Sequence, residues 1–258
     1  MGADGAEPSP ALRSAPRLVV DGITVRAGGR AIVREISITI EPGEILGIFG
    51  PSGAGKSTLF RALAGEQAAA SGRVILDGTD VTRLSLWQRA RRGIGYLPQT
   101  PSVLWDLTVA ENLAVFARLA VRAKTPARTG DHPRGGVDID AIVHDLGLAD
   151  RLRITAGSLS GGERRRLELA RALCADPRVL FCDEPFAAID PLGTAHVGEH
   201  LLALAGRGAS VVIADHHVAE ALRLCRRAAL LLEGELCLVA PPAAFRDADL
   251  VRKHYPVV

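Results

Sequence analysis

Aromatic side chains are scarce in this sequence, at 4% of 258 residues. A protein that stacks single-stranded bases on rings needs more of them, so that class is disfavoured. Neither sign of charge dominates: 31 Lys and Arg stand against 29 Asp and Glu, a formal net charge of +2. Nucleic-acid binders usually show a strong basic excess or stripe, and this balance argues against that class too. Cysteine occurs only at Cys174, Cys182, Cys225 and Cys237, with no C-x-x-C pair. So few in a chain this large speak against a disulfide framework and for a reducing compartment. Cys182, inside the apolar run VLFCDE, reads as a small buried hydrophobe. No run approaches the roughly eighteen apolar residues needed to span a bilayer. The opening stretch MGADGAEPSPALRSAPR lacks an apolar h-region and reads as a disordered leader over 1–16. It also misses a myristoylation pattern, because residue 6 is Ala where Ser or Thr is wanted. These absences predict a soluble, intracellular protein that needs a partner to act at a membrane.

What is present is a hydrophobic fraction of 48%, enough for one large domain or two small ones. Solenoid-period repeats are absent. RLVVDGITVR and AIVREISITI alternate and are β-branched, which predicts antiparallel strands. Ile45 to Phe49, GRVILDG, PRVLFCDE and SVVIAD predict further strands, and AALLLEGELCLVA predicts two strands around a turn at Gly234. Helices are predicted in TLFRALAG, from Pro191 and from Val218. From about 100 to 176 the pattern turns helical in LTVAENLAVFARLAVRA, DIDAIVHDLGLADRL and GERRRLELARALCA, with KTPARTGDHPRGG as a loop. Thr108 and Glu111 have capping-box spacing, as do Ser160 and Glu163. The expected fold is an α/β core, mainly parallel, with an antiparallel β part and an all-helical insert.

GPSGAGKST places Gly50, Gly55, Lys56 and Ser57 in the G-x-x-x-x-G-K-[ST] pattern, after an apolar strand and before a helix. Both flanks are what a phosphate loop requires. Its backbone N–H groups and helix N-terminus attract phosphate, Lys56 reaches the β- and γ-phosphates, and Ser57 ligates Mg²⁺. VLFCDE ends a strand on Asp183 and Glu184. A carboxylate beside the phosphate loop suits Mg²⁺, and its neighbour suits orientation of a water. SLSGGERRR (158–166) alone allows either a phosphate-binding helix start or a basic patch; the near-neutral charge and the other motifs favour nucleotide. Its three consecutive arginines spread around a helix and form no single stripe, and Arg164 is spaced i, i+4 from Glu168.

With the phosphate loop, YLPQ (96–99), LSGGE (159–163), VLFCDEP (179–185), AID (188–190) and His216 in ADHH, the chain from about residue 17 resembles the ATP-binding subunits of ABC transporters. LSGGERRRLELARAL, DEPFAAIDP, IADHHVAEAL and VRKHY are most similar to the lipopolysaccharide-export ATPases. The resemblance implies a P-loop NTPase core of 17–258 that binds ATP and Mg²⁺. Gly50, Pro51, Ser52, Gly53, Ala54, Gly55, Lys56, Ser57 and Thr58 would cradle the phosphates, and Ser57, Gln99 and Asp183 would hold the metal. Glu184 would be the general base, assisted by Gln99, His216 and Lys56, with His216 on the γ-phosphate. Ser160, Gly161, Gly162 and Asp190 would complete the ATP site of a second subunit. This implies a head-to-tail homodimer with two ATP molecules, bound to permease subunits at the cytoplasmic face of the inner membrane and taking no nucleic acid. The runners-up are an importer ATPase, for instance for branched-chain amino acids, and a soluble ATPase of iron–sulfur cluster assembly. With 104 positions between Lys56 and Ser160, no long coiled-coil arm of the DNA-repair type fits.

Three local readings stay open. Many relatives stack adenine on an aromatic residue near position 27, where this chain has Ala27; Arg26 either covers the base or faces solvent. HVGEH (196–200) matches the H-x-x-E-H zinc pattern, but Gly198 weakens the helix and an exposed helix face is the preferred reading. Leu104 and Trp105, beyond Gln99, either line an apolar groove for a membrane subunit or pack inside the helical insert.

Overall fold

The computed structural model describes residues 15–100, 102–122 and 137–255. Most of the 1–16 leader and the loop in KTPARTGDHPRGG lie outside the described residues. The strands are β1 (Leu18–Ala27), β2 (Arg30–Ile40), β3 (Ile45–Phe49), β4 (Ser71–Leu76), β5 (Thr79–Asp80), β6 (Ile94–Leu97), β7 (Val179–Asp183), β8 (Ser210–Ala214), β9 (Arg227–Leu232) and β10 (Glu235–Ala240). The helices are α1 (Lys56–Ala64), α2 (Leu86–Ala90), α3 (Val109–Arg122), α4 (Ile139–Asp145), α5 (Gly161–Cys174), α6 (Pro191–Gly206), α7 (Val218–Leu224), α8 (Pro242–Asp247) and α9 (Asp249–His254).

One sheet, in order β2-β1-β4-β5, is antiparallel. The other, β10-β9-β3-β8-β7-β6, is parallel except for β10. The antiparallel edge strand β10 follows β9 through the turn at Gly234, as that sequence pattern predicts. Between 100 and 176 the described residues form α3, α4 and α5 and no strand, in keeping with the helical reading.

The period-two alternation of strand side chains sorts the core into two layers. Leu180 and Cys182 of β7, with Val211 and Ile213 of β8, join the cluster that contains Leu167 of α5, Leu201 of α6 and Phe245 of α8. Val179 and Phe181 of β7, with Val212 and Ala214 of β8, join the cluster of β1, β2 and α1. The parallel sheet is therefore buried on both faces, which is why β3, β7 and β8 read as unbroken apolar runs. Phe60 of α1 sits 5.6 Å from Phe181 of β7, ring to ring. Truncating such a buried aromatic costs about 3–5 kcal/mol, so the contact fixes α1, and with it Lys56, against the sheet.

Candidate functional site

The phosphate loop leaves the buried strand β3 and enters α1 through Gly55, whose φ of 106° is left-handed. A Cβ at Gly55 would lie 2.9 Å from the Ile32 carbonyl oxygen, and one at Gly50 would lie 2.1 Å from the Leu231 oxygen. Both motif glycines are thus required by close backbone packing, and Gly55 by its conformation as well. Pro51, Ser52 and Gly53 are exposed, while Ala54, Gly55 and Lys56 are buried. The Gly234 N–H donates to the Ala54 carbonyl at 3.0 Å, clipping the loop to the β9–β10 turn. The Lys56 ammonium donates to the carbonyls of Gly50 (2.6 Å) and Pro51 (3.0 Å), holding the loop in its curved shape. Burial lowers the Lys56 pKa, against the pull of Asp183 and Glu184.

Asp183 ends β7 with 2% of its surface exposed. Its carboxyl is pushed upward by burial, opposed by a hydrogen bond from the Ser57 side chain. Its Oδ2 is buried with no hydrogen-bond partner. An orphaned carboxylate oxygen beside a hydroxyl is a donor set that fits Mg²⁺. The next residue, Glu184, takes a left-handed φ of 55°. Its N–H donates to Ala214 O (2.7 Å) at the end of β8. Its Oε1 accepts from Gln99 Nε2 at 2.7 Å and lies 2.8 Å from His216 Nε2. Three residues separated widely in sequence therefore meet at one carboxylate oxygen. His217, the other histidine of ADHH, turns instead to the buried Asp215, with Nδ1 2.9 Å from Oδ1. Asp215 Oδ2 also accepts the Phe186 N–H, which tethers the segment after Glu184.

Ser160 is the N-cap of α5. Its Oγ accepts from Glu163 N at 3.3 Å, and its own N–H donates to Glu163 Oε2 at 2.8 Å. With Arg151 also bonded to it, the Glu163 carboxyl falls to about 2, the Ser160 backbone bond being the largest cause. Gly161 faces open space, whereas a Cβ on Gly162 would lie 3.1 Å from Ala188 O. Asp190 caps α6 by accepting Gly193 N–H at 2.9 Å, which holds its carboxyl below the usual range. The bonds made by Ser160 stay within its own helix start and do not reach the phosphate loop. Two sets thus form within the chain: the loop with Asp183, Glu184, Gln99 and His216, and the α5 start with the Asp190 segment.

Arg165 is a central residue whose role the sequence reading misses. Only 7% exposed, it donates to the carbonyls of Pro98 (2.5 Å), Asp183 (2.5 Å) and Glu184 (2.6 Å), and pairs with Glu168 at 3.2 Å. It ties the α5 start to the Gln99 segment and to both carboxylate residues. An Arg–Glu pair at i, i+3 on the same stripe as Leu169 and Ala172 was the available signal, because an inward-facing ion pair must serve buried partners.

Arg26 is exposed and donates to Gly29 O (2.9 Å) within the β1–β2 turn; Ala27 is exposed beside it. His196 and His200 do not form a free helix face. His196 Nδ1 lies 2.9 Å from Asp145 O and His200 Nε2 lies 3.3 Å from Asp145 Oδ2, so α6 docks on the end of α4. Gly198 is buried because Leu224 approaches where its Cβ would be, at 3.3 Å. No group of three or more His, Cys, Asp or Glu able to hold a metal occurs among the described residues. Trp105 is 49% exposed with the Arg164 guanidinium 5.3 Å over its ring, and Leu104 is 38% exposed. Neither is packed inside the insert. An apolar groove of about 410 Å³ opens nearby, lined by Leu86, Trp87, Tyr96, Pro98, Ser102 and Phe116 among others. Leu104, Trp105 and Gln99 are not among its lining residues. Among the described residues no helix is long and apolar enough to cross a membrane.

The ABC transporter family model matches residues 33–187. The lipopolysaccharide export system ATP-binding protein LptB of Acidithiobacillus ferridurans is 39% identical over 227 residues, covering 88% of this chain and 90% of that protein. LptB of Escherichia coli K12 is 38% identical, covering 88% and 91%. A probable ABC transporter ATP-binding protein of Azorhizobium caulinodans is 37% identical, covering 92% and 82%. Among solved structures, a nucleotide-free ATP-binding cassette from an ABC transporter superposes with a TM-score of 0.77 at 25% identity, covering 93% of this chain and 99% of that one.

Proposed function

The chain belongs to the ABC transporter family as an ATP-hydrolysing, ATP-binding subunit, and we propose that it powers lipopolysaccharide export. Subunits of this family generally dimerise and pair with membrane permeases. In this reading two copies of residues 17–258, each with its helical insert at about 100–176, pair head-to-tail about a two-fold axis. Each ATP lies between the phosphate loop of one copy and Ser160, Gly161, Gly162 and Asp190 of the other. The permeases hold the dimer at the cytoplasmic face of the inner membrane. The export reading rests on the relatives named for that system, at 38–39% identity over most of both chains.

The observation that carries the ATPase mechanism is the convergence of Gln99 and His216 on one oxygen of Glu184, beside Lys56 and Asp183. Lys56 leaves the carbonyls of Gly50 and Pro51 to take up the β- and γ-phosphates. Residues Gly50 to Thr58 supply backbone N–H groups around them. Asp183 and Ser57, with Gln99, would hold Mg²⁺, which would neutralise phosphate charge. Glu184 accepts the proton of the attacking water, and His216 and Gln99 keep that water and the γ-phosphate in line. The groove at Trp87 and Phe116 takes a short helix of a permease subunit, with the exposed Leu104 and Trp105 available to the same partner.

Glu184→Gln tests the mechanism. It keeps an acceptor for Gln99 but removes the base. Phosphate release should fall by about 10²–10⁴-fold, with ATP binding retained and an ATP-dependent dimer accumulating in size-exclusion chromatography. Hydrolysis at the unaltered rate refutes the assignment. Recovery of two polytopic subunits with the chain from mild detergent tests the transporter arrangement; a soluble scaffold protein in their place refutes it.

A further inference from the structure

The phosphate loop is braced from a place none of its motifs includes. The hydroxyl oxygen of Tyr255, in the last described turn of the chain, accepts the Gly50 N–H at 2.8 Å, across 205 positions of sequence. Tyr255 is half-buried, and its own N–H donates to Val251 O at 2.8 Å. The segment that carries it is firmly seated: Phe245 and Val251 are fully buried, and the Phe245 ring lies 5.6 Å from that of Phe49, the residue before Gly50.

We infer that Tyr255 is a positioning residue for ATP binding, its hydroxyl holding the first peptide of the phosphate loop in the conformation that receives phosphate. The inference rests on the reading of the loop as the ATP site. Gly50 has three constraints. The Leu231 carbonyl blocks movement on the side where a Cβ would be, 2.1 Å away. Lys56 donates to the Gly50 carbonyl at 2.6 Å. Tyr255 accepts from the Gly50 amide. When Lys56 turns to the phosphates its bond to Gly50 is given up, and the Tyr255 bond is the polar contact left to hold that residue. Packing of Phe245 on Phe49 seats the tail on β3, and the hydroxyl meets the loop itself. Loss of the hydroxyl leaves the amide without its acceptor, so the loop drifts from its receptive shape and part of the binding free energy goes to restoring it.

The test compares the full chain with Tyr255→Phe and Val251→Ala, by ATPase kinetics, thermal melting and NMR of the ¹⁵N-glycine-labelled protein. Tyr255→Phe keeps the ring and removes one hydrogen bond, so KM for ATP should rise about 3–10-fold, with kcat changed less than about twofold and the melting temperature nearly unchanged. The Gly50 amide proton should move upfield. Val251→Ala loosens the packing without touching the hydroxyl; it should lower the melting temperature and leave KM in place. An unchanged KM in Tyr255→Phe overturns the inference. So does an equal KM shift in Val251→Ala, which would make tail packing the cause. A wild-type protein that fails to bind or hydrolyse ATP overturns the ATPase reading itself, a separate outcome.

Discussion

Replacing Arg165 with Met should be among the most damaging single changes in the protein. The guanidinium is buried and serves three backbone carbonyls and the Glu168 carboxylate, which is itself 3% exposed. A hydrogen bond to a charged group contributes about 1.5–3 kcal/mol, but four bonds made by one rigid fork do not add. The better guide is a buried pair broken by removing one partner, which costs about 3–5 kcal/mol because the remaining charge stays buried. For a domain of this size that is a fall in melting temperature of about 6–20 °C. Met fills much of the same volume, so little of the loss would come from a cavity. Arg165→Lys keeps the charge beside Glu168 but cannot reach several carbonyls at once and should fall between the two. The decisive assay is the double variant Arg165→Met with Glu168→Gln, melted beside each single variant. Glu168→Gln still offers the Ser102 N–H an acceptor but carries no charge. The double variant should therefore lose less stability than the two single losses sum to, by about 0.5–3 kcal/mol of coupling. If Arg165→Met melts within about 2 °C of the wild type, the fork holds nothing together and the reasoning fails.

Ser160→Ala removes an N-cap and should cost about 1 kcal/mol in urea unfolding, and hydrolysis should fall further than ATP binding to the monomer. Ser160→Asp retains a capping oxygen, so it should keep the stability yet lose the hydrolysis; full activity in Ser160→Asp would count against a phosphate contact. Burial holds the His200 pKa below its ordinary 6.5, so the unfolded chain takes up this proton first as pH falls. The stability contributed by His200 is whole above about 6.5 and erodes below it, and His200→Gln should flatten a melting-temperature profile taken from about pH 7.5 to 5.5; an unaltered slope would show that another group sets it. Trp87→Ala, at a residue 60% exposed, should leave folding within about 0.5 kcal/mol and ATP turnover intact while releasing the permease subunits in a pull-down; undiminished recovery would move the docking site elsewhere.

Much of the fold is legible locally because its signals are local. The unbroken apolar runs of β3, β7 and β8 announce strands buried on both faces, and the capping boxes at Thr108 and Ser160 form as their spacing suggests. Short elements were harder. β6 is four residues and α2 five, too few for a period to emerge. The histidines of HVGEH illustrate a different limit. Their i, i+4 spacing correctly puts them on one face of α6, but whether that face meets water or α4 depends on tertiary packing that no window of sequence contains. The carbonyl partners of Arg165 and the amide partner of Tyr255 were illegible for the same reason, although the i, i+3 pairing of Arg165 with Glu168 marked its side chain as inward-facing. Each side chain acts through backbone groups of distant residues, and a carbonyl or amide leaves no trace in residue identity.

Lys56, Glu184 and Ser160, read as meeting nucleotide, have partners inside the chain, and Asp183 Oδ2 has none. Lys56 sits on two carbonyls, Glu184 on Gln99 and His216, and Ser160 on the start of α5. In water such exchanges are nearly neutral, since a net hydrogen bond contributes only about 0.5–1.5 kcal/mol. Nucleotide phosphates therefore compete against modest internal bonds, and the loop remains in shape until they arrive. In the proposed site the orphaned Asp183 oxygen, with the Ser57 hydroxyl bonded to the same carboxyl, would take a divalent cation. Ser160 differs from the others in that its internal bond holds its own helix start. A phosphate that draws the hydroxyl away loosens the cap of α5, the helix that carries Arg165 and so reaches the carbonyls of Asp183 and Glu184. Contact with a second subunit's nucleotide would thus be felt at the base of this subunit's own site, through the helix that carries Arg165.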